Sequence, residues 1–354
     1  MLDYKLSVES LNELQEQDLD FKIMYSLDRI AEWYRHYDGK TYVAFSGGKD
    51  STVLLHLVRQ IYPDTPAIFN NSGMEYPEIR QFVKETDNVT WLKPKMNFKQ
   101  VIEKYGWPVI SKHQADSIAQ ARRFKAAGNL EGFQRKLKPG PYSVNKRWQF
   151  LIDAPFKISG RCCEYLKKEP ASTYVRATGR QGYLGFLGSE SWMRRGLALR
   201  YGCNAYELKT PVSRPLFIWK EQDIWDYLNA FNVPYSPIYD MGYTRTGCMF
   251  CMFGLHMGRM HGEDKFEMMK ETHPKYYSYC MNKLGCGEII DYIIQRSGEL
   301  PPTEKICNAC KRTLPASTEF FAPRNNTRLG LQPLCRECFN KRRREKYYEK
   351  EAGV

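Results

Sequence analysis

A chain of 354 residues with 42% apolar content can bury a full-sized core without disulfides, and its length suits one large domain plus an attachment. No apolar run reaches membrane-spanning length, and the opening MLDYKLSVESLNELQEQDLD is acidic and polar where a secretory leader is basic and then apolar, so the expectation is a soluble cytoplasmic protein with no membrane partner. The formal net charge of +13 is unevenly spread, with 13 Lys/Arg against 4 Asp/Glu in residues 112–168 and KRRREK at residues 341–346; this fits a solvated basic surface or, because the clusters are two, a phosphate polyanion.

Up to about residue 36 the pattern is helical. Ile23, Leu27, Ile30 and Tyr34 recur at i, i+4, i+7 and i+11 and line one face, which predicts a packing helix without chemistry. The apolar run TYVAF (41–45) predicts a strand that ends at the glycine turn SGGKDS. A helix then continues through STVLLHLVRQIY, and PAIFNNSG supplies a second short strand. Strand, turn, helix, strand is the start of a mostly parallel, doubly wound α/β sheet, with ligand expected at the carboxyl edge of the strands. Residues 93–160 are polar, basic and interrupted by Pro and Gly, and read as an insertion or lid. Strand-and-turn patterning resumes from Tyr174 through GYLGFLGSES, and PLFIWKEQDIWDYLNAF reads as a loop leading into an amphipathic helix. A helical stretch closes the region near residue 298, and the two prolines of GELPPTEK mark a boundary. The expected organisation is a helical segment (1–36), an α/β domain (37–260) with the basic insertion (93–160), a helical extension (261–300) and a cysteine module with a basic tail (301–354).

A helix N-terminus offers unpaired N–H groups and the positive end of a dipole, and consecutive glycines let the backbone close around an anion. SGGKDS between strand and helix is therefore a phosphate cradle. It is not a Walker A loop, because G-x-x-x-x-G-K-[ST] cannot be laid on these residues. It resembles the PP-loop of the adenine-nucleotide α-hydrolases, whose members bind ATP there and attack its α-phosphate, releasing pyrophosphate and leaving an adenylylated substrate. The wider chain resembles the phosphoadenosine phosphosulfate reductase-like branch. NNSGMEYPEIR is similar to its T-G-x-E-x-P-E segment and GFLGSESWMRR to its G-x-R-x-x-E-S-x-x-R segment. PLFIWKEQDIWDYL and VPYSPIYDMGYTRTGCMFC are similar to its closing stretch, so the matches span roughly residues 40–256 in the family's order.

The resemblance implies that Ser46, Gly47, Gly48, Asp50 and Ser51 meet the phosphates of Mg2+-ATP, with Lys49 as a neutralising cation and Gly73 nearby. Glu190 and Arg194 fall at the nucleotide edge, and Lys49, Asp50 and Ser51 are the expected catalytic residues. Electrostatic support for departing pyrophosphate is the main catalytic contribution such a loop supplies. Asn71 and Ser72 stand where Asp-Thr is usual, and Leu187 replaces the arginine of G-x-R, which leaves the contacts to ribose and substrate open.

Eight of the eleven cysteines fall in close pairs and the total is odd, unlike a secreted disulfide framework. Cys162 and Cys163 with Cys248 and Cys251 form a C-C…C-x-x-C set. Adjacent thiolates suit the separated corners of a 4Fe-4S cubane better than one tetrahedral zinc, and the set resembles the cluster ligands of assimilatory sulfonucleotide reductases and of DNA-phosphorothioation ATPases. Structural zinc, recruiting His256, or plain buried thiols are the alternatives. Cys307-x-x-Cys310 and Cys335-x-x-Cys338, 24 residues apart, are paired knuckles that predict structural zinc and resemble the four-cysteine ribbons of phage nucleases and nucleic-acid modifying enzymes. Arg342, Arg343 and Arg344 directly after them are placed to meet a phosphate backbone, with protein–protein contact as the competitor.

The expected function is an ATP-pyrophosphatase-type enzyme that adenylylates a substrate in sulfur-related nucleic-acid modification, with DNA or RNA and a sulfur-donor protein as partners. One alternative is a phosphoadenosine or adenosine phosphosulfate reductase, although the mobile nucleophilic thiol of those enzymes is not evident in FGLH (253–256). The other is a non-catalytic nucleic-acid-binding adaptor, against which the complete loop argues.

Overall fold

The computed structural model describes residues 6–260, 264–297, 304–324 and 331–342. In chain order its strands are β1 (Thr41–Ala44), β2 (Ala67–Asn70), β3 (Val89–Leu92), β4 (Val109–Ile110), β5 (Gln181–Leu184), β6 (Asn204–Ala205), β7 (Val212–Ser213), β8 (Met252–Phe253), β9 (Glu304–Ile306) and β10 (Thr313–Pro315). By packing, the chain divides into two units, residues 1–101 with 162–249 and residues 102–161 with 250–354. Most of the basic insertion thus belongs to the second unit, with the C-terminal helical and cysteine-bearing segments.

The first unit holds a six-stranded sheet in the order β3-β2-β1-β5-β7-β6. Its neighbours pair in parallel except at the edge, where β6 and β7 are antiparallel. The expected mostly parallel α/β fold is therefore present. Val43, Ile68, Phe69 and Tyr183 are buried, as strands need to be when helices cover a parallel sheet. From β1 the chain steps outward through β2 to β3, then returns on the opposite side of β1 as β5. Strand order reverses between β1 and β5, so the turn after β1 lies at the switch point where such sheets bind ligands.

The N-terminal segment forms two helices, Val8–Glu16 and Leu19–His36. In the second, the buried stripe is Lys22, Ser26, Ile30 and Trp33, rather than the stripe of Ile23, Leu27, Ile30 and Tyr34 that apolar periodicity predicts. Polar pairing rotates the face. Lys22 Nζ meets Asp223 Oδ2 at 2.6 Å, and Ser26 Oγ donates to Pro215 O at 2.9 Å while accepting Trp219 Nε1–H at 2.9 Å. A buried polar group is tolerated when its hydrogen bonds are made.

In the second unit the stretch that reads as an irregular insertion is largely helical, with helices Lys112–Ala126 and Leu130–Leu137 and a 3-10 segment Lys146–Asp153. Ser111 caps the first by accepting from Gln114 N at 3.1 Å, and Asn129 caps the second by accepting from Gly132 N at 2.8 Å. The apolar stripe is easy to miss because two of its fully buried members, Ala115 and Ala121 beside Ile118, are alanines. Two of the basic residues here are structural. Arg122 donates to the carbonyls of Leu151, Ala154 and Phe156, and the buried Lys136 donates to Tyr142 O at 2.8 Å. No helix among the described residues is long and apolar enough to cross a membrane.

Candidate functional site

The loop after β1 leads into the helix Lys49–Ile61, whose N-cap is Gly48. Gly47 has φ +73°, and a Cβ there would lie 2.8 Å from Val83 Cγ2 and 2.9 Å from Ile79 Cγ2; at Gly48 it would lie 2.8 Å from Thr246 Oγ1. Both positions therefore require glycine. The serines lock the turn: Ser51 Oγ accepts from Ser46 N at 3.1 Å, lies 3.0 Å from Ser46 Oγ and donates to Gly48 O at 2.9 Å. Of the first-turn amides, Lys49 N–H donates to the Tyr239 hydroxyl at 2.8 Å. The Asp50 and Ser51 amides make no hydrogen bond among the described residues. Gly185, just beyond β5, lets the neighbouring strand approach, since a Cβ there would sit 3.0 Å from Ser51 N.

Charge is concentrated around this turn. Lys49 is buried; its Nζ lies 3.1 Å from Glu221 Oε1 and 3.8 Å from Asp50 Oδ1, and it donates to Thr244 O at 3.2 Å. Burial holds the Asp50 carboxyl above its ordinary range, Lys49 opposes that, and Glu221 reinforces it. Glu190 pairs with Arg194 and lies 3.9 Å from Arg245. The Arg194 guanidinium covers the Phe186 ring, and burial lowers its pKa against the pull of Asp50. The structure thus brings Ser46, Gly47, Gly48, Lys49, Asp50, Ser51, Glu190 and Arg194 into one region of the first unit, with Lys49 engaged by carboxylates.

A cavity of about 110 Å³ opens at the carboxyl ends of β1 and β2, lined among others by Ser46, Asn70, Glu75, Tyr76, Lys167, Thr246 and Gly247. Gly73, at φ +76°, lies in the turn that follows β2, and Ser72 Oγ donates to Glu75 Oε1 at 2.5 Å. Lys167 has a pKa well above its ordinary value, chiefly from charge interaction with Cys248 against the cost of burial; Glu75, a hydrogen bond to Cys248, and Cys163 add to it. Cys162 and Cys163 open a helical stretch whose next five residues, Glu164–Lys168, form a π-helix, an uncommon turn frequent at functional sites. Lys167, Glu75, Tyr239 and Thr246 are site residues that the sequence reading does not single out. The signal for Lys167 is its i+4 spacing from Cys163, which places both on one side of a helical turn. Cys162, Cys163 and Cys248 belong to the first unit and Cys251 to the second.

A second cavity of the first unit, about 900 Å³, has Phe45 and Thr52, the residues that flank the loop, in its lining. Leu55, His56, Phe82, Pro77 and Tyr235 are among its lining, and no residue of loop 46–51 is.

In the second unit, Cys307, Cys310, Cys335 and Cys338 bring their Sγ atoms within 4.8 Å of one another, and Cys310 and Cys335 stand 3.9 Å apart. Four sulfurs at about 2.3 Å from one zinc lie about 3.8 Å from each other, so the set fits a tetrahedral ion. Backbone donors from Cys335, Cys310 and Ala309 outweigh burial and hold the Cys307 thiol low, at about 6, and Arg312 lowers Cys310. Among the expected nucleic-acid contacts, Arg342 is exposed at the end of helical residues 336–342, whereas Arg343 and Arg344 lie outside the described residues.

A mostly parallel sheet with a glycine loop opening a helix at its switch point defines an α/β protein whose loop has the form of an anion cradle. Residues 40–140 and 146–253 match the phosphoadenosine phosphosulfate reductase domain, more than half of the chain, and the chain belongs to that family. It is 25% identical to an uncharacterized protein of Methanocaldococcus jannaschii over 72% of this chain and 43% of that one. It is 23% identical to the adenosine 5′-phosphosulfate reductase of Bacillus cereus over 71% of this chain and 88% of that enzyme. The chain spans about half the length of the M. jannaschii relatives it matches, 43% and 58% in two cases. The phosphoadenylyl-sulfate reductase of Candida auris, solved as a phosphate complex, aligns at 17% identity and a TM-score of 0.39, covering 69% of this chain and 96% of that one.

Proposed function

We propose that the chain binds Mg2+-ATP on loop 46–51, cleaves it between the α- and β-phosphates, and passes the adenylyl group to a nucleic acid in a sulfur-related modification, with a sulfur-donor protein as a further partner. One observation carries this reading: Ser46 of the loop and Lys167, which holds Cys248, line the same small cavity. The loop and a lysine that bonds a cysteine thus border one space, which supports a site that handles phosphate and sulfur together. The free amides of Asp50 and Ser51 receive phosphate oxygens, and Arg194 and Arg245, tied to Glu190, offset the charge that builds on departing pyrophosphate. Cys162, Cys163, Cys248 and Cys251 are the residues that would hold a 4Fe-4S cluster, with zinc as the alternative; the cationic Lys167 beside Cys163 and Cys248 favours the thiolates either metal needs. Such a cluster supplies sulfur or electron transfer. Cys307, Cys310, Cys335 and Cys338 would hold a structural zinc, and Arg342, Arg343 and Arg344 are the basic residues proposed to bind the polymer's phosphates.

Pyrophosphate release from ATP, measured anaerobically with DNA or RNA, tests the reading. Asp50→Ala is expected to slow release on the order of 100-fold or more, and an unchanged rate would remove the loop from the mechanism. Tight polymer binding without any pyrophosphate would make the protein an adaptor. The second reading, a sulfonucleotide reductase, is favoured by the 23% identity to the B. cereus enzyme. Sulfite release from adenosine phosphosulfate with a thiol reductant would establish that reading instead.

A further inference from the structure

The helix Trp192–Tyr201 begins two residues after Glu190 and, among the described residues, presents an apolar face to the surface. Trp192 is 85% exposed and Met193 72%, and Leu197 follows one turn later on the same side. An indole left this open is unusual, because burying its area is among the largest apolar gains a side chain offers. The surroundings are basic. The helix carries Arg194, Arg195 and Arg200 and no acidic residue, and Arg245, linked to it through Glu190, is exposed. Arg194 and Arg195 are held in place by Glu190 and by Asn12, whose Oδ1 accepts from Arg195 at 2.6 Å. Gly196, between Met193 and Leu197, has open space where a side chain would stand, so a flat group meets no obstruction there.

We propose that this face is a stacking platform for single-stranded nucleic acid, with a base on the Trp192 indole and the phosphate backbone along Arg200 and Arg245. The inference rests on the nucleic-acid reading above and names its substrate form. An aromatic ring stacks on any base, but only on one whose face is free, which selects single strands over duplex. The arginines make the face complementary to a polyanion and less suited to an ordinary protein partner. Glu190 joins the two features: it pairs with Arg194 of the platform helix and neighbours the Asp50 loop through that same arginine.

The test compares wild type, Trp192→Ala and Trp192→Phe by fluorescence anisotropy with a labelled single-stranded oligonucleotide, as DNA and as RNA, and with the same strand annealed to its complement. Trp192→Ala is expected to lose on the order of tenfold or more in single-strand affinity, with Trp192→Phe retaining most of it and duplex binding little changed. Adding strand should quench the indole emission of wild type, and that quenching should vanish in Trp192→Ala. Equal single-strand affinity in Trp192→Ala overturns the proposal. So does a raised ATP KM with unchanged strand affinity, or a wild-type dimer in sedimentation that the substitution dissociates, since those assign the face to the nucleotide or to a second copy. A wild-type protein that binds strand through Trp192 yet releases no pyrophosphate keeps the platform and removes the adenylylation reading; pyrophosphate release with no role for Trp192 does the reverse.

Discussion

The phosphate loop and the four-cysteine module are both small and chemically dense, but they are shaped by different physics. The loop inherits its form from the sheet: Gly47 is pressed against Val83 and Ile79, Gly48 against Thr246, and Ser51 lies under the neighbouring strand's Gly185. Its geometry exists without ligand because a large core surrounds it. The module, among the described residues, has a buried core of Cys307, Phe321, Leu331 and Cys335. Two of those four are proposed ligands, with Leu314, Ala316, Phe320, Leu334 and Cys338 packed around them, so removing the metal takes cross-links out of the middle of a small core. A preformed site is expected to tolerate the loss of its ligand, and the module is expected not to.

The largest effect is therefore expected from zinc removal. Structural zinc in small cysteine modules contributes roughly 10–16 kcal/mol of apparent folding free energy at neutral pH. Chelation, or Cys335→Ser, should release the ion and abolish amide exchange protection in residues 304–324 and 331–342 while the first unit keeps its own. Retained protection in metal-free protein would show that Phe321 and Leu331 suffice.

Next come two ion pairs of the same length, one in each unit. Lys22–Asp223 and Lys125–Asp153 are both 2.6 Å, but the side chains are 2% and 14% exposed in the first pair and 52% and 70% in the second. Lys22→Met leaves a mostly buried carboxylate unpaired and is expected to cost about 3–5 kcal/mol, whereas Lys125→Met should cost about 0–1 kcal/mol. Urea denaturation measures both, and equal losses would mean that burial does not set the difference. A similar contrast applies to two glycines. Gly47 and Gly73 have nearly the same φ, +73° and +76°, but only Gly47 is crowded. Gly47→Ala should cost about 2–4 kcal/mol from backbone strain plus overlap, and Gly73→Ala about 1 kcal/mol from strain alone.

Legibility in the sequence followed the same divide between local pattern and tertiary partner. SGGKDS after a strand was readable because a strand, a glycine turn and a helix start are all local signals, and the paired C-x-x-C spacing was readable for the same reason. The Lys22 and Ser26 stripe was not, because those side chains are buried by partners about 200 residues away, Asp223 and Pro215. Nor was the use made of Arg122 and Lys136: a basic run looks like a polymer surface until three carbonyls are found on one guanidinium. Lys167 fell between the two, its helical spacing from Cys163 visible but its link to Cys248 created only by the fold.

The smallest expected effect has the opposite sign. The Asp50 carboxyl is held above its ordinary value of 3.8 by burial, with Glu221 adding repulsion and Lys49 opposing both. A carboxyl whose folded pKa is raised works against the fold once ionised. Below its ordinary value both folded and unfolded chains keep the proton, and there is no penalty. As pH rises past 3.8 and through the raised folded value, the unfolded chain gives up its proton more readily, and the fold loses stability. Asp50→Asn removes that charge. Its melting temperature should exceed that of wild type at neutral pH, and the gain should shrink as pH falls toward 3.8. Pyrophosphate release should fall in the same variant. A variant less stable than wild type at neutral pH would mean that the Lys49 contact outweighs burial, and that the loop is not strained by its own acid.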